Sequence, residues 1–247
     1  MVVAIAQSTT DTEPSPKPIV IPPVASVTPT KTDKSLFVGK DLASRILAYM
    51  DRKGYTLFKG SREYNIVYVE GMDPNGRLNS DADNVFNDIR LVIEVIHGKP
   101  RIVGGPWLAT TEPGRHYVKH PMNVKGAARI QFNQYTAWQV GMHNGNHEAL
   151  IQIGGAVTVH RDFDRNGIRT GDRLDTGYFG INQHHGYDNP VNYVGKASAG
   201  CLVGRSRAEH KQFMTLIKQD WRYQQDKKFT FTSTIISGDD LVKQFPA

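Results

Sequence analysis

Between residue 63 and about residue 205 the apolar residues fall into short runs, each closed by glycine, asparagine, aspartate or proline. Runs of that kind, rich in β-branched and aromatic residues, are strands rather than helices. Tyr64-Asn65-Ile66-Val67-Tyr68-Val69 is one, and Arg90-Leu91-Val92-Ile93-Glu94-Val95-Ile96 is another. His97-Gly98-Lys99-Pro100 turns the second back into 101–108, a hairpin signal. Further strands are expected near 128–133, 136–142, 148–153, 156–161 and 178–184, with Phe229 to Ile236 as a closing strand. Two helices flank them. Over 41–52, Leu42, Ile46, Leu47 and Met50 share a face, with Asp41 as N-cap and Gly54 as the stop. From about 207 to 222, Ser206 and Glu209 make a capping box, and Phe213, Met214, Ile217 and Trp221 supply a buried stripe. The expected fold is mainly β, a β-sandwich or mixed sheet with one or two flanking helices.

The N-terminal part differs in kind. Six of the thirteen prolines lie between Pro14 and Pro29, among Ser, Thr and Lys, so residues 1–35 read as a disordered spacer unable to bury enough apolar surface to fold. Residues 36–60 then form a helical lead-in and 61–240 the main domain. Val2 to Ala6 ends in Ala4-Ile5-Ala6, an A-x-A pattern that reads either as the end of an export signal or as ordinary tail residues. No apolar run is long enough for a spanning helix. The net charge of +6 favours anionic partners, but the basic residues are scattered and no nucleic-acid motif is present, so nucleic acid is not expected.

Cys201 is the only cysteine, which rules out an intramolecular disulfide. It follows Lys196-Ala197-Ser198-Ala199-Gly200, a sequence with turn rather than core composition, and lies downstream of His184-His185-Gly186. A thiol becomes nucleophilic as the thiolate, which a neighbouring imidazole can generate once a third group fixes its tautomer. Small residues before the cysteine admit a carbonyl substrate and leave backbone N–H groups for an oxyanion hole. A nucleophile of this kind is expected to be exposed and of low pKa. The bland alternative is a buried, inert thiol.

The segment resembles the L,D-transpeptidase (YkuD-like) catalytic domain, in which His-Gly is followed after about fifteen residues by Ser/Thr-His/Arg-Gly-Cys. Here His185-Gly186 precedes Ser198-Ala199-Gly200-Cys201, sixteen positions separating His185 from Cys201. Thr111-Glu112-Pro113-Gly114-Arg115-His116-Tyr117 is similar to the family's Thr-Pro-x-Gly-x-Tyr/Phe segment and also follows the hairpin. The likeness covers roughly 63–236. It implies a mainly β L,D-transpeptidase-like fold, Cys201 as nucleophile, His185 as general base, the Gly186 carbonyl as its orienting group, and oxyanion-hole N–H groups from Gly200 and Cys201. His184 is the rival base, since alternation sends the two imidazoles to opposite faces. Ala199 stands where the family has His or Arg, and the family's arginine two positions after the cysteine is displaced to Arg205. Ser198, Ala199 and Arg205 are the remaining substrate-side candidates, with Arg207 beside them. The implied reaction is acyl transfer from a peptidoglycan stem peptide through a thioester, without metal or other cofactor, in an exported protein of the periplasm or cell wall. Hydrolysis of the same stems, as an L,D-carboxypeptidase or endopeptidase, and a wall-binding module without activity are the alternatives.

Two other patterns stand apart. Asp162-Phe163-Asp164-Arg165-Asn166-Gly167 opens like a calcium loop but has Arg173 at position twelve, so it reads first as a polar turn and second as a weak calcium site. His116/His120 and His143/His147 are four apart, but no helix is expected there to bring either pair onto one metal.

Overall fold

The computed structural model describes Phe37 and residues 39–247. The expected spacer and export-signal stretch lie outside the described residues. In chain order the elements are α1 (Leu42–Arg52), β1 (Asn65–Glu70), β2 (Asp88–Ile96), β3 (Lys99–Thr110), α2 (Arg115–Lys119), β4 (Ala127–Ile130), β5 (Asn133–His143) and β6 (His147–Gln152). They continue with β7 (Val157–Asp162), β8 (Arg173–Gly177), β9 (Gln183–His185), β10 (Leu202–Gly204), α3 (Arg207–Ile217), α4 (Trp221–Gln225), β11 (Phe231–Ser237) and α5 (Gly238–Gln244).

The fold is mainly β. Eight strands close into a barrel in the order β1-β11-β5-β6-β9-β10-β3-β2, and β4-β7-β8 form a second sheet. The barrel sheet is mixed: β1 runs parallel to β11 and β9 parallel to β10, and the other pairs are antiparallel. The apolar run of β1 reads straight through because both of its faces are covered. Ile66 and Tyr68 join a core with Trp138, Leu150, Phe213 and Phe231, to which the second sheet adds Ala128, Ile130, Val157 and Val159. Val67 and Val69 point the other way, into a cluster with Ile46, Leu47 and Met50 of α1, Ile89 and Leu91 of β2, and Leu241 of α5. The Asp41 side chain caps α1 by accepting from the Ser44 N–H at 3.1 Å. Each fully buried aliphatic side chain in these clusters contributes about 1.5–3 kcal/mol against exposure, so α1 is held by its face on the barrel.

Three local expectations change. The helix expected over 207–222 is two helices, because the Asp220 carboxylate accepts from the Arg222 N–H at 3.0 Å and starts α4. Trp221 is consequently not part of the buried stripe; it is 37% exposed and its Nε1 donates to Glu63 at 3.0 Å. The strand expected near 178–184 is replaced by β8 before it and the three-residue β9 at its end. α2 and α5 arise where no helix was expected. α2 carries His116 and is followed by His120, whose rings lie 5.1 Å apart.

β9 and β10 position the site. Val203 pairs with His184 and Gly204 with His185, and the Leu202 N–H donates to the Asn182 carbonyl at 2.9 Å.

Candidate active site

Cys201 stands immediately before β10, on a turn that the sequence dictates. Ser198 Oγ donates to the Cys201 carbonyl at 2.9 Å and accepts the Gly200 N–H at 3.1 Å. Gly200 has φ +123°, and a Cβ there would lie 2.5 Å from the Ala128 carbonyl oxygen, so only glycine fits. The turn brings Cys201 to the wall of a cavity of about 690 Å³. His184, His143, Asn182, Tyr187 and Ala199 line the same cavity, as does Tyr117 of α2. The two sequence segments that carry the family likeness therefore meet at one cavity.

The structure places His184, not His185, on this cavity. The two imidazoles do point to opposite faces, but alternation alone does not say which face is hollow. His184 Nδ1 lies 2.8 Å from the His185 carbonyl oxygen. A carbonyl only accepts, so Nδ1 carries the hydrogen and Nε2 keeps its lone pair. The orienting carbonyl is thus that of His185; Gly186 instead donates its N–H to the Gly204 carbonyl at 2.7 Å. Burial, reinforced by His143, pushes His184 down to about 3, so it is neutral at ordinary pH. Its ring stacks on His143 at 3.9 Å.

His143 is itself held by a definable network. Asn182 Oδ1 accepts the Gln152 N–H at 2.9 Å, which turns the Asn182 amide nitrogen toward His143 Nδ1 at 3.0 Å. Nδ1 must then accept and Nε2 carry the hydrogen; Asn144 Nδ2 stands 3.0 Å from Nε2, so the Asn144 amide has to turn over for its oxygen to accept that hydrogen. His185 does not line the cavity: it stacks on His147 at 3.8 Å, whose ring also lies 5.3 Å from that of His143, and its Nδ1 accepts the Tyr187 N–H at 3.3 Å. Burial and the neighbouring His147 lower His185 to about 4.

The thiol differs from the sequence expectation. Cys201 Sγ donates to the Gly180 carbonyl at 3.5 Å. Burial pushes it from 9.0 up to about 11, and only the Asn182 backbone N–H pulls the other way. The thiol and the imidazole that line the cavity are therefore both neutral at rest, not a preformed ion pair.

The other expected site residues separate into those at the cavity and those behind it. Ala199 is on the wall. Ser198 holds the turn. Gly200 commits its N–H to Ser198, so it offers none to an oxyanion. Arg205 Nη1 donates to the Asn189 carbonyl at 3.3 Å. Arg207 pairs with Asp188 at 2.8 Å and donates to the Tyr187 carbonyl at 2.9 Å. Both arginines brace the 187–189 segment, and neither lines the cavity. The cations that do line it are Arg161 of β7 and Lys196.

Among the described residues, the groups of carboxylates close enough to share an ion are Glu70/Asp81/Glu112 and Asp162/Asp164/Asp172, both away from the thiol cavity. Glu70 and Glu112 already pair with Arg169 and Arg129. The Asp162 loop is a hydrogen-bonded turn, its carboxylate accepting the N–H groups of Asn166 and Gly167 at 3.0 Å each. Burial, with Asp162 and Asp164 nearby, raises Asp172 to about 6.

No protein-family model, curated protein or solved structure matches the chain.

Proposed function

We propose that the chain is a cysteine-dependent acyltransferase of the L,D-transpeptidase type, acting on peptidoglycan stem peptides with Cys201 as nucleophile and His184 as general base. The observation that carries this reading is the shared cavity of Cys201 and His184, in which the base has its tautomer set by the His185 carbonyl and its Nε2 lone pair available. Tyr117, from the second family-like segment, lines the same cavity.

In this reading the Cys201 proton passes to His184 Nε2 as sulfur attacks the carbonyl that precedes the terminal D-residue. The carbonyl oxygen becomes an oxyanion. The C–N bond then breaks, and the leaving amine takes the proton back from the imidazolium. An acceptor amine resolves the thioester in transpeptidation, and water resolves it in carboxypeptidation. Because both partners rest neutral, proton transfer accompanies attack instead of preceding it, and a bound substrate that excludes water strengthens the developing charges. The same reading has the protein act outside the cytoplasm, in the periplasm or wall.

The raised pKa of the half-buried thiol favours one rival, a wall-binding module in which Cys201 is inert. Incubation with tetrapeptide stems separates the readings. The proposal expects release of the terminal D-residue, a mass increment on Cys201 equal to the tripeptide acyl group, and loss of both in Cys201→Ala. Identical product profiles for wild type and Cys201→Ala would sink it. His184→Ala is expected to abolish release while His185→Ala keeps most of it; the opposite ranking would return the role of base to His185. An added acceptor amine that appears in cross-linked dimers marks transfer, and its exclusion from product marks hydrolysis.

A further inference from the structure

The cavity has a charge pattern that the nucleophile and base do not explain. Among the described residues its wall includes Arg161 and Lys196 and no aspartate or glutamate. Lys196 is exposed, as a solvated surface lysine would be. Arg161 is not: it is 5% exposed, on a strand of the second sheet, opposite Ala128. Its guanidinium lies 4.4 Å from the centre of the Phe179 ring, which also lines the cavity. Nε donates to Asp175 Oδ2 at 3.1 Å, whereas Nη2 is buried and has no hydrogen-bond partner. Asp175 does not neutralise the arginine by itself, because it is shared with Lys125 at 3.2 Å. A buried guanidinium with an unpartnered N–H is disfavoured unless something else completes it. A planar fork of donors held against an aromatic face is suited to a carboxylate.

We infer that Arg161 is the carboxylate anchor of this cavity, and that the acyl donor is a peptide gripped by one of its carboxylates, with Lys196 adding charge at the mouth. The inference rests on the peptide-acyl-transfer reading for the identity of the donor, but the anion subsite stands on Arg161 alone. Arg161 takes over from β7 the substrate-gripping role that the sequence assigned to Arg205, which braces a loop instead.

The test is binding to the full chain carrying Cys201→Ser, so that no acyl group is transferred. Two probes are titrated by calorimetry: a stem tetrapeptide with free carboxylates, and the same peptide with every carboxylate converted to an amide. The free acid should bind about ten- to a hundredfold more tightly, the range for hydrogen bonds to a charged group. Arg161→Gln should bring the ratio to near one and leave the affinity for the amide unchanged. Asp175→Asn removes the competing negative charge and keeps Arg161 itself, so it should raise the ratio, a result that a merely structural Arg161–Asp175 pair would not give. It also serves if Arg161→Gln fails to fold, as judged by its melting curve. Equal affinities for acid and amide, no measurable binding of the acid, a ratio unmoved by Arg161→Gln, or a ratio not raised by Asp175→Asn each overturn the anchor. Acid-selective binding without D-residue release by the Cys201-containing chain would keep the anchor and reject the transferase reading; release with equal affinities would do the reverse.

Discussion

Titrating the free protein with an uncharged aromatic disulfide, pH by pH, reads the state of Cys201 before any substrate arrives. The structure sets the thiol at about 11 instead of 9.0. At pH 8 the thiolate fraction then falls from about a tenth to about a thousandth, close to a hundredfold. A more basic thiolate is intrinsically the better nucleophile, by about six- to tenfold over two pKa units. The net expectation at pH 8 is a rate roughly ten times below that of an unstructured cysteine peptide. The shape of the profile is the sharper test: the peptide should level off above pH 9, while Cys201 should still be gaining at pH 10. His184 sits at about 3 and is uncharged throughout this range, so His184→Ala should leave the free-protein profile in place. The same variant should lower turnover on stem peptides by about a hundred- to ten-thousandfold, the usual worth of a general base. A plateau reached below pH 7, abolished in His184→Ala, would mean a preformed thiolate–imidazolium pair and would refute the neutral resting site.

Other consequences are open to simpler measurement. Gly200→Ala meets both a φ of +123° and the Ala128 carbonyl, and should cost about 1–3 kcal/mol or more in urea unfolding while disabling the thiol turn. Glu70 is buried and held by Arg169 and by Thr111 Oγ1, so Glu70→Gln should cost about 3–5 kcal/mol; Asp188→Asn, at an exposed pair with Arg207, should cost under about 1 kcal/mol. His210 is held at about 2 by burial and by Arg90. Its folded pKa is depressed, so its contribution to stability is complete above the ordinary 6.5 and is lost as pH falls from there toward 2, at about 1.4 kcal/mol per pH unit. His210→Gln should flatten the slope of unfolding free energy between pH 6.5 and 5 by about that amount; parallel slopes would contradict it.

The reach of the sequence followed the range of the interactions involved. Strand runs and capping residues are local signals, and β1, β2, β3, α1 and the start of α3 lie close to where periodicity and caps put them. The turn before Cys201 was legible because Ser198 and Gly200 act within three residues of each other. The choice between His184 and His185 was not, because it depends on which face of β9 borders a cavity built by β5, α2 and the second sheet. The same holds for Arg161. In the sequence it is one charged residue in an alternating strand, and only the folded chain puts it on the wall of the thiol cavity. The break between α3 and α4 came from a single aspartate that competes for the Arg222 N–H, a contest that an apolar stripe does not register. The high thiol pKa was missed for a further reason: turn composition speaks to backbone shape, whereas acidity depends on which charges lie within reach of the sulfur.

His184 stands on β9 and Cys201 immediately before β10, so the pairing of these strands, Val203 opposite His184, together with the turn held by Ser198 and Gly200, sets their spacing. Residues 187–197 lie between the ladder and that turn. They supply cavity wall, through Tyr187, Lys196 and Ala197. In the proposed reading, reaction and selectivity are thus encoded in separable stretches of polypeptide. Exchanges within 187–197 should redraw which peptide is admitted while the thiol turn and the ladder are kept. An engineer wishing to retarget the cavity would graft that segment and leave the ladder and the thiol turn alone.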